Sequence, residues 1–207
     1  MNRGFTHTLS ESLRETRKIP TVRRVYGFTM LETVFVIGLT VLLMLAIQSL
    51  YLSFTRLASE ESAEYSARTS AVGTLRTAEN IVLPADRVLA SHTFSTGTYT
   101  TGAETLVVRI PAIDAAGAII PTVYDYAVIY QSGASAIFRI EASLRGARQT
   151  RERTVGNSVT DLTFSYDNAD VTQATTVTAD INVSAIDGHG TSALSLEETF
   201  RIRNLSL

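Results

Sequence analysis

The chain has 207 residues, no Cys and a formal net charge of −2. That length suits one folded domain plus an anchor, and the lack of Cys excludes a disulfide framework or a thiolate metal site. Charge is unevenly placed: residues 1–27 hold six Lys/Arg against two Asp/Glu (+4), and residues 28–207 hold twelve against eighteen (−6). The acidic remainder gives no general case for nucleic-acid binding.

Residues 1–27 form a polar, basic leader that ends at Gly27, and Phe28-Thr29-Met30-Leu31-Glu32 opens a hydrophobic run. From Thr33 to Thr55 no residue is charged. Twenty helical residues rise about 30 Å, the thickness of a bilayer core, so residues 28–52 are expected to be a transmembrane helix. The basic flank is expected to stay cytoplasmic, because Lys and Arg resist translocation. That puts the C-terminal domain outside the cytoplasm. Glu32 is the fifth residue of the run. A carboxylate in hydrocarbon costs about 2.5–3.5 kcal/mol, so one placed there needs a task and a partner. A secretory signal peptide would need a shorter apolar stretch and a small-residue cleavage site, and no Ala-x-Ala occurs before Pro84. A generic single-span anchor would explain the length, but not Glu32 or the glycine beside Phe28.

Residues 53–83 are expected to extend the helix as an amphipathic segment. They contain no proline, and Phe54, Leu57, Tyr65, Val72, Leu75 and Val82 recur at roughly helical spacing. Glu64 and Arg68 are spaced as an i,i+4 pair. Pro84 should end the element. From Phe28 to Asn80 the helix would be about 80 Å long. Its first half must lie in lipid or among other helices, and its second half must pack on a sheet.

Residues 84–207 read as a β-rich domain. Thr105–Ile110 alternates with Leu106, Val108 and Ile110 on one face. Thr122–Tyr130 is apolar and aromatic on both faces, as in a central strand. Ile137–Ala142 puts Phe138 and Ile140 together, and Thr160–Tyr166 puts Thr160, Leu162, Phe164 and Tyr166 together. Val177–Ala185 alternates most cleanly, with Val177, Ala179, Ile181, Val183 and Ala185 facing one way. Thr199–Leu205 is expected to be the last strand. Gly/Ser/Asp clusters such as Asp187-Gly188-His189-Gly190 separate these segments. The expected fold class is α+β: one long helix followed by an antiparallel sheet.

No catalytic constellation is apparent. His7, His92 and His189 are far apart in sequence, and there is no nucleophile elbow, phosphate loop or His-x-x-x-His spacing. No cofactor is implied. Asp167, Asp170, Asp180 and Asp187 could contribute oxygens to a calcium site, but their spacing matches no calcium loop, and solvated turns explain them. Arg139, Arg145, Arg148, Arg151 and Arg153 form the only basic cluster after the leader. It could touch nucleic-acid phosphates, or it is a solvated loop with local pairing. Asn182-Val183-Ser184 and Asn204-Leu205-Ser206 fit a glycosylation sequon, a match that is common by chance.

The leader ending at Gly27, then Phe28, then Glu32 at the fifth apolar position resembles the processing and assembly signal of type IV pilins and type II secretion pseudopilins. The resemblance implies cleavage after Gly27 by a prepilin peptidase, methylation of the new amino terminus at Phe28, and a pilin-like fold. It also implies packing into a helical filament with other pilin-like subunits, on an inner-membrane assembly platform. In such filaments Glu32 would pair with the Phe28 amine of a neighbour and set its axial stagger. Asn157-Ser158-Val159-Thr160-Asp161-Leu162-Thr163-Phe164-Ser165-Tyr166 and the ending Phe200-Arg201-Ile202-Arg203-Asn204 resemble minor pseudopilins of the J/PilW type. Gln48-Ser49-Leu50 stands where many major pilins have a helix-kinking proline, which favours a minor subunit and predicts a more continuous helix. The alternatives are a major pilin, or a membrane-anchored β-domain that binds a ligand and never polymerises.

Overall fold

The computed structural model describes residues 27–188 and 190–203. The leader up to residue 26, His7, His189 and the Asn204 sequon therefore lie outside the described residues. The chain divides into two compact units, Met1–Gln48 and Ser49–Leu207. One α-helix, α1 (Met30–Val82), runs through the division without a break. Its length of 53 residues matches the expectation, and it stops two residues before Pro84, whose ring cannot continue it.

In the first unit the described part of α1 is exposed along its whole length. It is long and apolar enough to cross a membrane, and none of its apolar window is buried.

In the second unit, α1 is followed by β1 (Arg87–Val88), β2 (Ser91–Phe94), β3 (Gly97–Thr100), β4 (Thr105–Ile113), β5 (Ile119–Ser132), β6 (Ser135–Glu141), β7 (Arg151–Asn157), β8 (Val159–Tyr166), β9 (Thr176–Asp187) and β10 (Gly190–Arg201). The strands form a five-stranded sheet in the order β1-β4-β5-β6-β7, a three-stranded sheet in the order β10-β9-β8, and the two-stranded hairpin β2-β3. All pairings are antiparallel. The fold is α+β, as expected.

One core joins α1 to both larger sheets. Leu75, Ile81 and Val82 of α1 share it with Leu106, Val108, Ile129, Phe138, Leu162 and Phe164, and with the alternate residues Val177–Ala185 of β9. β5 is the middle strand of the larger sheet and is buried on both faces. Ala127 and Ile129 enter the main core. Val128 enters a second, smaller core with Phe94 and Val107, under the hairpin β2-β3. Val107 and Val128 pair in register, so both project to that second face.

Four expectations need correction. The inward face of α1 is not Phe54-Leu57-Tyr65, which are 67%, 52% and 74% exposed. Leu75 and Val82 of the expected set are buried, together with Ile81, but the rest of the inward face is a stripe of small residues, Ala63, Ala67, Ala71, Thr74 and Ala78. Small side chains win because the backbones meet. A Cβ on Gly190 would lie 2.6 Å from Glu60 Cα, and one on Gly156 would lie 2.4 Å from Thr74 Oγ1. Thr160 is exposed and off the Leu162/Phe164 face, because a register shift between Val159 and Asp161 turns the strand. The last strand begins at Gly190, not Thr199, and pairs with β9 over twelve residues without a bulge. Its alternation is shallow because one face is half-exposed. Glu64 and Arg68, placed as a helix pair, are not in ion-pair contact among the described residues.

Candidate functional site: the start of the apolar helix

Gly27, Phe28 and Thr29 are not helical, and α1 begins at Met30. Thr29 is the N-cap. Its Oγ1 accepts a hydrogen bond from the Glu32 backbone N–H at 3.2 Å, and its carbonyl accepts the first helical bond from Thr33 N–H at 3.0 Å. Thr33 Oγ1 donates to the same carbonyl at 3.1 Å. Thr29-Met30-Leu31-Glu32 is thus a Thr-x-x-Glu capping sequence with Glu32 at its N3 position. The Thr-x-x-Glu signal is local and stands in the sequence.

The cap gives Glu32 a local electrostatic setting. The first turn presents unpaired N–H groups and the positive end of the helix dipole, which favour an anion there by about 0.3–1 kcal/mol. This only partly offsets the cost of a carboxylate in hydrocarbon. Among the described residues Glu32 makes no ion pair. Phe28, Met30 and Leu31 beside it are 72%, 87% and 82% exposed. A Cβ built on Gly27 would meet nothing within 4 Å, and its φ is not in the left-handed region. Nothing inside the described chain requires a glycine there.

The other sequence candidates fall into structural roles. Asp167 accepts from Thr175 N–H at 2.9 Å and Thr175 Oγ1 at 2.5 Å, which hold its carboxyl below the usual range. Asp170 caps the short 3-10 turn Val171–Gln173, accepting from Thr172 N–H and Oγ1, with the same effect on its pKa. Asp180 lies in β9, opposite Thr163 and Glu197, and Asp187 ends β9 at the hairpin. No group of three or more His, Cys, Asp or Glu among the described residues could hold a metal ion.

The arginines do not form one solvated loop. Arg139 lies on β6 and pairs with Glu152 across the sheet. Arg148 reaches Asp125 at 2.7 Å and the Pro111 carbonyl at 2.8 Å, and Asp125 is fully buried. Arg153 on β7 donates to Thr77 Oγ1 of α1 at 3.3 Å. Two of the five charges are therefore neutralised by carboxylates. His92 stacks on Tyr126, with ring centroids 3.7 Å apart, and meets Phe94 edge-on. Burial lowers its pKa below 6.5, partly offset by Glu141.

No protein-family model matches this chain, and no curated protein matches it.

Proposed function

We propose that this protein is a prepilin-like structural subunit, a minor one, of a type IV pilus or a type II secretion pseudopilus. It is held in the cytoplasmic membrane by the first half of α1, with its β-domain outside the cytoplasm, until it is built into the filament. The observation that carries the proposal is an exposed apolar helix start with one carboxylate in its first turn and no ion partner among the described residues. An exposed apolar surface of that size needs lipid or other helices to cover it. An unpaired Glu32 in that surface needs a cation, and a new amino terminus at Phe28 on a neighbouring subunit would supply one. The absence of any internal need for glycine at position 27 supports an external one, recognition by the prepilin peptidase. The unbroken α1 at Gln48-Ser49-Leu50 supports a minor over a major subunit.

Co-expression with a prepilin peptidase should remove residues 1–27 and leave N-methyl-Phe28, as read by intact mass of the membrane-extracted protein. A product that keeps residues 1–27, or one that begins beyond Leu50, overturns the proposal.

The Thr29–Glu32 cap favours a second reading, a single-span anchored domain in which Glu32 only starts the helix. Glu32→Gln separates the two. It keeps the reach and hydrogen bonding of a capping side chain and removes the charge. Filament or subunit crosslinking lost in both Glu32→Ala and Glu32→Gln supports assembly by charge, whereas crosslinking kept in both supports the anchor.

A further inference from the structure

We infer that a cavity beside the C-terminal end of α1 binds a small carboxylate on an apolar stem, held by Arg151 and Arg153 above an apolar floor. The inference goes beyond the proposed function and does not depend on it.

The register of β7 puts two arginines on the core side of the larger sheet. Arg151 pairs with Ile140 and Arg153 with Phe138, and residues paired in this way project to the same face. Ile140 and Phe138 belong to the main core. Arg151 and Arg153 are nevertheless exposed, because β7 is an edge strand. Their stems cover the rim of the core while their charged heads reach outward. Both line a cavity of about 200 Å³, which Thr77 and Asn80 of α1 and a third guanidinium, Arg148, also line. Its floor is apolar, with Ile81 and Ile110 beside Phe138 and Ile140. The charges around this cavity do not cancel. Arg148 is committed to Asp125 at 2.7 Å. Arg153 lies 5.6 Å over the Phe138 ring and donates to Thr77 Oγ1 at 3.3 Å, and neither partner is an anion. Among the described residues Arg151 and Arg153 make no ion pair, and no Asp or Glu lines the cavity. The negative end of the α1 dipole offsets about half a charge, which leaves most of the two charges uncompensated. Like charges around one concave space repel, and a bound anion relieves that repulsion.

Size and lining select the anion. The cavity is smaller than the roughly 300–1,000 Å³ of cofactor and drug-sized sites, so a nucleotide does not fit. A guanidinium fork matches the two oxygens of a carboxylate. It matches phosphate as well, but inorganic phosphate makes no use of the apolar floor. A carboxylate on a short apolar stem uses both the arginines and the floor. A second depression of about 270 Å³ shares Ile140, Arg148 and Arg151 with the first, which gives room for the rest of a larger molecule. The same chemistry comes from two sources, a free small acid and the glutamate side chain of a partner protein.

Modification of the full chain in membranes by phenylglyoxal, read by peptide mass spectrometry, tests the site. Pentanoate is the probe for a free acid, and a capped glutamate peptide is the probe for a partner side chain. One or both should protect Arg151 and Arg153, while Arg145 and Arg201, exposed and outside the cavity, stay reactive. Protection by pentanoate alone assigns the site to free acids, and protection by the peptide assigns it to a protein partner. The Arg151 side chain makes no hydrogen bond among the described residues, so Arg151→Gln leaves the fold intact. In that variant, half-protection of Arg153 should need at least about tenfold more of the protecting probe, the factor that one hydrogen bond to a charged group contributes. Inorganic phosphate at equal concentration should protect less. Three results overturn the inference: no protection by either probe, equal protection by phosphate, or protection of Arg153 unchanged in Arg151→Gln.

Discussion

The two stretches of α1 on either side of Gln48 are equally helical and follow opposite rules. Before it, the helix is apolar nearly all round and entirely exposed. After it, the helix carries seven charged residues by Val82, yet it buries a stripe of alanines and threonines against the sheets. Apolar content thus runs against burial within one element. A helix that is hydrophobic all round belongs in a membrane or a helix bundle, whereas a one-sided helix belongs on a sheet. The second stretch is buried for how closely it approaches its sheets, not for how apolar it is.

Removing one stretch at a time should have the largest effect. Residues 49–207 should fold as a soluble domain with a cooperative melt by circular dichroism. Residues 84–207 should lose it, because Ala67, Ala71, Leu75, Ala78, Ile81 and Val82 are part of the same core as the strands. A cooperative melt from residues 84–207 alone would show that the second stretch is dispensable.

The two carboxylates Asp125 and Glu32 test the comparison next. Asp125 is buried beside Arg148 and also accepts from Ser143 N–H at 2.7 Å. Arg148→Met strands that charge and should cost about 3 kcal/mol of stability in the 49–207 domain, measured by urea unfolding. Glu32→Ala in the full chain should leave the melt of the β-domain unchanged, because nothing in the described chain pairs with it.

Glycines sharpen it further. Gly190→Ala puts a methyl group against the Glu60 backbone and should cost about 1–3 kcal/mol, lowering the melting temperature by about 2–4 °C per kcal/mol. Gly38→Ala meets nothing within 4 Å and should not lower it, since alanine is the better helix former. Equal effects from the two would contradict the close-approach account.

The smallest effect is pH-dependent and confined to the second unit. Burial keeps His92 neutral to lower pH than in the unfolded chain, where its pKa is near 6.5. Its contribution is therefore complete above pH 6.5 and is lost as pH falls from there towards the lowered folded value. Melting of the 49–207 domain at stepped pH should show a fall below 6.5 that is absent in His92→Phe. A fall of equal size in His92→Phe would assign the effect to the carboxylates instead.

Much of this molecule is legible from local pattern. The uncharged run Thr33–Thr55, the helix stop before Pro84 and the alternation in β9 each depend on neighbours in sequence, so periodicity suffices. The central place of β5 follows from its two apolar faces. The Thr29 cap was equally legible in Thr-x-x-Glu. The strands β1, β2, β3 and β7 were not, because they are short or carry exposed charges and gain their pairing from partners distant in the chain.

The sequence by itself determined the long helix, its exposed apolar half, the position of Glu32 within it and the antiparallel β-domain behind it, since each is written in periods of two or 3.6 residues. Only the tertiary structure decided which face of α1 is inside. Phe54, Leu57 and Tyr65 are the better hydrophobes, but where the helix approaches Gly190 and Gly156 this closely, between Glu60 and Thr74, only small side chains fit, and Leu75, Ile81 and Val82 enter the core beyond it. It likewise took the fold to give Arg139 and Arg148 their carboxylates, because Asp125 and Glu152 come from other strands and no local period joins them.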